Sequence, residues 1–333
     1  MAVLAVILTI SCTKDTDVFL PKHSVDIVGD IDRFFNAARI PIETHVTTNI
    51  DVPAAVVTER KSVIILDPGS LQDADGNLIT GNVEVSILEL MSPGEILTYG
   101  ISTNSRGNLL ESGGEFHLTI RQNGKPLTLQ GGSHIRILTD LPNGVQGNQR
   151  MELFYDILEH DQFTGKKLYP SWEEADGNPN TWSNITLSDW AAIADSQQVV
   201  TGYGYAGYSD HLDWVHLAAF DQTPPASKTN VCIALPPRFV ESNTAVFLVM
   251  KDQRTVLRLK GDPVFAQFCN AYQEDYQIGV PVDSHVSIIA VSEQGLNRYF
   301  FWMHTTTLKK NHNEFIEPVE TPLENIRQVL ATL

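Results

Sequence analysis

The sequence predicts a mainly β protein: two antiparallel β-sandwich-like domains followed by a C-terminal amphipathic helix. Three observations carry that expectation. Short apolar runs alternate at period two, as in Asn82–Leu90 (NVEVSILEL) and Glu115–Arg121 (EFHLTIR). Turn signals punctuate them, among them Asp67-Pro68-Gly69, Asn123-Gly124 and Pro236-Pro237. The strand–helix–strand rhythm of a parallel sheet is missing from the pattern, which favours antiparallel sandwiches. At 333 residues the chain is longer than one hydrophobic core usually serves, so two domains are expected.

The first dozen residues read differently. Val3–Ile10 (VLAVILTI) is an uninterrupted apolar run of signal-peptide length, far short of the ~20 residues of a membrane-spanning helix. Ser11-Cys12 and a polar stretch follow. A cysteine after an apolar run and a small residue resembles a bacterial lipobox, in which the thiol is acylated and the upstream peptide removed. Cys12 is therefore the expected lipid attachment site. Each buried acyl methylene contributes about 0.8 kcal/mol, so two or three chains hold a soluble domain on a membrane. The competing reading is a buried N-terminal strand ending in an ordinary cysteine.

Residues 13–42 read as a tether, with one short helix within Gly29–Arg39. From 43 to 155 the pattern is β-rich, with strands at Ser62–Leu66, Asn82–Leu90, Glu115–Arg121, Leu127–Leu129 and His134–Leu138. Residues 156–209 carry three of the five tryptophans (Trp172, Trp182, Trp190) and the run Gly202–Tyr208, and are expected to form a connector. Within it, Leu187–Asp195 reads as a short helix with Ser188 as its cap. Strands return across 210–308: Val231–Leu235, Ala245–Lys251, Val256–Leu259, Val286–Val291 and Arg298–Trp302. The tail 309–333 switches period. Thr321-Pro322-Leu323-Glu324 combines an N-cap, a first-turn proline and a capping-box glutamate. Leu323, Ile326, Leu330 and Leu333 then follow at helical spacing, so this helix should dock on a β domain.

Cys232 and Cys269 remain after Cys12. An oxidising compartment would let them pair, closing a loop worth roughly 3–4 kcal/mol. Both also lie among apolar neighbours, where unpaired thiols are common. The residues leave both readings open.

Several phrases together resemble a group of Bacteroidetes lipoproteins. They are ILDPGSL (Ile65–Leu71), DADGNLITGNVEVSILEL (Asp73–Leu90), TNSRGNLLESGGEFHLTI (Thr103–Ile120), NGKPLTL (Asn123–Leu129) and MELFY (Met151–Tyr155). The first domain of that group looks like the ZU-type β-sandwich shared by ankyrins and netrin receptors. SNTAVFLVMKD (Ser242–Asp252) and PVDSHVSIIAVS (Pro281–Ser292) are similar to its second domain. The resemblance covers about two-thirds of the chain and implies architecture, not activity. Some ZU-type relatives cut themselves at a His-Phe-Ser step. Phe116-His117-Leu118 lacks the hydroxyl, so self-cleavage is not implied.

Among candidate chemistry, Asp73, Asp75 and Asn77 suggest a calcium loop, but position six holds Leu78 where an EF-hand needs glycine. A β-turn explains the run better. His211, Asp213, His216 and Asp221 form the densest His/Asp group, to which His304 or His312 would have to add a ligand before a metal could bind. No metal and no cofactor is expected. GxSxG, a Gly-rich phosphate loop and CxxC are all missing, and Gly113-Gly114 and Gly131-Gly132 read as hairpin glycines. Glu173-Glu174 are adjacent, whereas glycoside hydrolysis needs two carboxyls across a cleft.

The net charge of −17 would repel a phosphate backbone, so no nucleic-acid partner is expected. The expected function is a lipid-anchored protein of the outer membrane or cell surface. Its role is expected to be non-catalytic, either structural or binding an unidentified protein or glycan. One alternative is a glycan-binding accessory protein presenting Trp172, Trp182, Trp190, Tyr203, Tyr205 and Tyr208. Another is a hydrolase with an unrecognised site.

Overall fold

In the computed structural model, which describes residues 29–39, 43–141, 145–157, 171–175, 185–194, 198–262, 265–270 and 278–333, the protein is mainly β. Helix α1 (Ile31–Ala38) is followed by strands β1 (Glu43–Asn49), β2 (Ala54–Val57), β3 (Val63–Leu66) and β4 (Asn82–Leu90). Helix α2 (Pro93–Thr98) leads into the long β5 (Asn108–Gln122). Then come β6 (Ile135–Asp140), β7 (Glu152–Ile157), β8 (Ser171–Glu174), β9 (Thr186–Ile193), β10 (Val199–Ser209) and β11 (Asp213–Phe220). One sheet runs β1-β4-β5-β11-β7-β8 and the other β9-β10-β6-β3-β2, with antiparallel neighbours throughout. Alternation places Val83, Val85, Ile87, Phe116, Leu118 and Ile120 opposite Ile64, Leu66, Ile135 and Ile137 in one core. This is sandwich packing.

The second unit comprises β12 (Val231–Ala234), β13 (Thr244–Met250), β14 (Thr255–Gly261), β15 (Gln267–Cys269), β16 (His285–Glu293), β17 (Tyr299–Thr307), β18 (His312–Phe315) and β19 (Val319–Glu320), closed by helix α3 (Leu323–Leu330). Its sheet order is β18-β12-β15-β14-β13-β16-β17-β19, with β12 and β18 parallel. The sheet curls until His304 of β17 meets Glu314 of β18 at 3.1 Å.

The two units share a core. Along β13, Val246, Leu248 and Met250 face the unit's own interior, while Ala245, Phe247 and Val249 face a second cluster. That cluster holds Phe34 and Phe35 of α1, Ile96 and Leu97 of α2, Ile326 and Leu330 of α3, and Leu88, Leu90, Phe154 and Trp172 of the first unit. Backbone bonds cross the junction: the Thr103 amide donates to the Val256 carbonyl at 2.7 Å, and the Val256 amide to the Thr103 hydroxyl at 2.8 Å.

Several expectations need correcting. The stretch 156–209 is no connector, because β8, β9 and β10 are strands of the first unit's two sheets. That unit extends beyond 155 to Phe220, since β11 pairs with both β5 and β7. The tail 309–333 adds β18 and β19 to the second unit's sheet before its helix. Within 13–42, the described residues 29–39 carry the expected short helix, at Ile31–Ala38, but its Phe34 and Phe35 are buried in the shared core, so this part belongs to the fold and not to a tether. Of the helix expected at Leu187–Asp195, the described residues 187–194 are not helical. Thr186–Ile193 pairs with β10, and Trp190 lies across Gly202, where a Cβ would fall 2.3 Å from the indole. Gly113-Gly114 sits inside β5, opposite the irregularity at Leu217/Ala218, instead of in a hairpin turn. The last helix begins at Leu323 with Pro322 as its cap residue, and the Thr321 hydroxyl turns back to the Val319 carbonyl at 3.0 Å. It docks as expected, with Ile326 and Leu330 buried.

Cys232 and Cys269 stand opposite each other on β12 and β15 and form a disulfide. The 37-residue separation makes its removal cost about 3–4 kcal/mol in the chain-entropy model. A Cys232→Ser/Cys269→Ser protein should therefore unfold at clearly lower denaturant than the oxidised wild type. Coincident curves would mean that the thiols are unpaired.

Candidate functional site

The aromatic residues proposed as a surface do not form one. Trp172 is fully buried beside the His216 ring, 4.6 Å between centroids, and its indole N–H donates to the Ser102 carbonyl at 3.1 Å. Trp190 and Tyr205 are buried too, and the Tyr205 hydroxyl accepts from the Asn148 amide at 2.8 Å. Tyr203 is exposed, and Tyr208 is half-buried between the His134 ring and the Arg136 guanidinium. Trp182, like Cys12, lies outside the described residues. Three rings that would have to stack on sugar instead hold the first unit together.

The His/Asp group also separates. Asp210 accepts from the Tyr155 hydroxyl at 2.7 Å and lies 3.1 Å from His211 Nδ1, while the His211 ring stacks on Tyr155 at 4.2 Å. Asp213 contacts His117 Nε2 at 2.6 Å, and Asp221 contacts Lys228 at 3.1 Å. Burial works against the Asp210 carboxylate, yet the Tyr155 hydroxyl and His211 hold it below its usual range. Glu173 pairs with Arg106 at 2.6 Å. Glu174 points to the opposite side of the strand. There burial, and then a hydrogen bond with Glu174, pull the Glu152 carboxyl above its usual range. The two glutamates cannot flank one substrate. Asp73 uses its carboxylate on the Asp75 and Asn77 amides, both at 2.9 Å, as a turn requires.

One polar constellation was missed by the sequence reading. Ser112 Oγ lies 3.0 Å from His216 Nε2, and Glu115 Oε1 lies 3.8 Å from the same nitrogen. The residue types are those of a nucleophile, a base and an orienting acid, but the arrangement is different. In a working triad the carboxylate holds the nitrogen opposite the one facing the nucleophile. Here both approach Nε2, His216 Nδ1 has no hydrogen-bond partner, and all three side chains are sealed from solvent. Nearby, Arg254 sits in a left-handed conformation at the turn before β14 and donates to the Met91 carbonyl at 2.6 Å. Burial pushes the Glu115 carboxyl well up, against the pull of Arg254, and drives the His216 ring down to about 3. The His216 ring is therefore neutral at pH 7.

His304 and His312 meet Glu314, at 3.1 and 3.2 Å through their Nε2 atoms. Trp302 Nε1 donates to His304 Nδ1 at 3.2 Å. An indole N–H can only donate, so the His304 proton sits on Nε2 and points at the carboxylate. A metal ligand needs that nitrogen bare. Among the described residues no group of three His, Cys, Asp or Glu side chains is placed to hold a metal ion.

A recess lies beside residues 210–213. Its volume is about 420 Å³, with Leu118, Ile120, Leu127 and Leu212 in its lining and Asp210 and Asp213 at its rim. No protein-family model matches this chain, and neither does any curated protein.

Proposed function

We propose that the protein is lipid-anchored through Cys12 at the outer membrane or cell surface and has a non-catalytic binding or structural role. The observation that carries this reading is the Cys232–Cys269 disulfide, because stable disulfides belong to oxidising compartments outside the cytosol. The apolar run Val3–Ile10 ahead of Cys12 points the same way. The likeness to ZU-type lipoproteins agrees with it. The shared core of the two β units favours a rigid platform over a pair of hinged domains. On that platform the 210–213 groove is the candidate contact for a protein or glycan.

Intact-mass analysis of membrane-fractionated protein, wild type against Cys12→Ser, tests the reading. A diacyl or triacyl mass should accompany the wild type, and both the mass and the membrane association should disappear in the variant. A soluble, unacylated wild type retaining Met1 would overturn it.

A further inference from the structure

The first described residues meet the turn that joins β16 to β17. The Asp30 amide donates to the Glu293 carboxylate at 2.8 Å. Gly29 lies so close to this turn that a Cβ on it would stand 1.8 Å from the Glu293 carbonyl oxygen and 2.8 Å from the Gln294 Cα. Gly29, the first described residue, therefore lies against this turn.

The turn has an unusual residue at its tip. Gly295, Leu296 and Asn297 take φ values of 84°, 56° and 58°, three left-handed residues in succession. Glycine and asparagine accept that region readily, whereas a leucine is held there against the crowding of its Cβ. Leu296 is nevertheless 72% exposed. The turn thus carries an exposed apolar side chain on a left-handed backbone. The neighbouring loop is tied to the turn through Gln294 Nε2 and the Arg238 carbonyl, at 3.4 Å, and exposes Pro237 and Val240. The cations of this tip are already engaged. Arg238 lies over the Phe239 and Phe300 rings, and Arg298 pairs with Glu320 at 2.7 Å.

We infer that this turn is the membrane-facing tip of the protein, and that Leu296, flanked by Pro237 and Val240, enters the interfacial layer of the bilayer that holds the acylated Cys12. The inference rests on the lipid-anchored reading. Residues 13–28 separate Cys12 from Gly29, and covalent geometry limits their reach to about 60 Å. Confinement on that scale raises the effective concentration of the tip at the surface, so a contact too weak to bind free protein suffices. The patch is apolar instead of basic, which suits a chain of net charge −17 and makes the contact insensitive to salt.

The test uses acylated full-length protein in phosphatidylethanolamine/phosphatidylglycerol vesicles that contain spin-labelled lipid. A fluorophore is placed at Asn297→Cys, with a control at Asp75→Cys. Asp75 lies in an exposed turn before the start of β4, whose other end carries the junction residues Leu88 and Leu90. Quenching is expected at 297 and not at 75, unchanged in high salt. Leu296→Gly removes the side chain and the strain together. The variant should unfold at no lower temperature than its parent while occupancy of the bilayer by the tip falls about tenfold. Vesicle-bound protein that shows no quenching at 297, or quenching indifferent to Leu296→Gly, overturns the inference and leaves the anchor intact. Protein that neither floats with vesicles nor carries an acyl mass removes the anchor reading and this inference with it.

Discussion

Trp172→Ala should lower the unfolding free energy by about 3–5 kcal/mol. The indole is fully buried and lies against His216 and Trp214. Its truncation leaves a cavity at the junction and deprives the Ser102 carbonyl of its 3.1 Å donor. Ser102 also reaches across to the second unit, with its hydroxyl 3.2 Å from the Val256 carbonyl and 3.2 Å from the Arg258 amide. The damage is therefore expected to spread to both units, and a single cooperative transition should shift as a whole. Trp172→Phe keeps most of the volume but not the N–H, and should cost about 1–3 kcal/mol. Denaturant unfolding followed by far-UV circular dichroism reads both. A Trp172→Ala protein within about 1 kcal/mol of wild type would mean that β8 does not complete this core.

Glu115→Gln is expected to do the opposite and stabilise the protein. Both Glu115 carboxyl oxygens are buried without hydrogen-bond partners, and burial raises the folded pKa well above 4.5. A raised acid binds its proton more tightly in the folded state, so stability falls as pH climbs from about 4.5 towards the folded value and stays low beyond it. Glutamine keeps the shape and never ionises. The variant should match wild type near pH 4 and exceed it by about 1–3 kcal/mol at pH 8–9. His216 sets the acid limb. Its folded pKa of about 3 lies below the usual 6.5, so the folded state disfavours the proton and stability is lost as pH falls through that window. Between pH 7 and pH 5 the loss is about 2 kcal/mol, and Glu115→Gln should leave it in place. Denaturant midpoints at pH 5, 7 and 9 separate the two limbs. A variant less stable than wild type at pH 9 would show that an ionised Glu115 is held by Arg254.

These two residues also show why the site was harder to read than the strands. Alternation in EFHLTIR correctly assigns Phe116, Leu118 and Ile120 to the interior. By the same rule Glu115 and His117 belong on the wet face. The rule fails for Glu115 because the second unit covers that face, and sequence alternation describes one sheet without knowing what lies on its back. A signal was present in Thr244–Met250, TAVFLVM, whose unbroken apolar run is buried on both faces. β9 was misread for a different reason. Its Leu and Ala residues favour a helix locally, and pairing with the glycine-rich β10 overrides that preference. The disulfide depended on register: nothing in the spacing of Cys232 and Cys269 says that β12 and β15 place them side by side.

The helices at either end of the described chain have a consequence for the order of events during synthesis. Phe34 and Phe35 of α1 share one core with Ile326 and Leu330 of α3, and Arg327 donates to the Ala37 carbonyl. A ribosome releases α1 first and α3 nearly three hundred residues later. Through that interval the early helix has no finished seat, and its two phenylalanines lack a stable cover. The cluster that α1 joins thus stays incomplete until the last helix emerges. On the proposed lipid-anchored reading, a chain that passes through a translocation channel before it folds would gain that delay from the placement of these two helices.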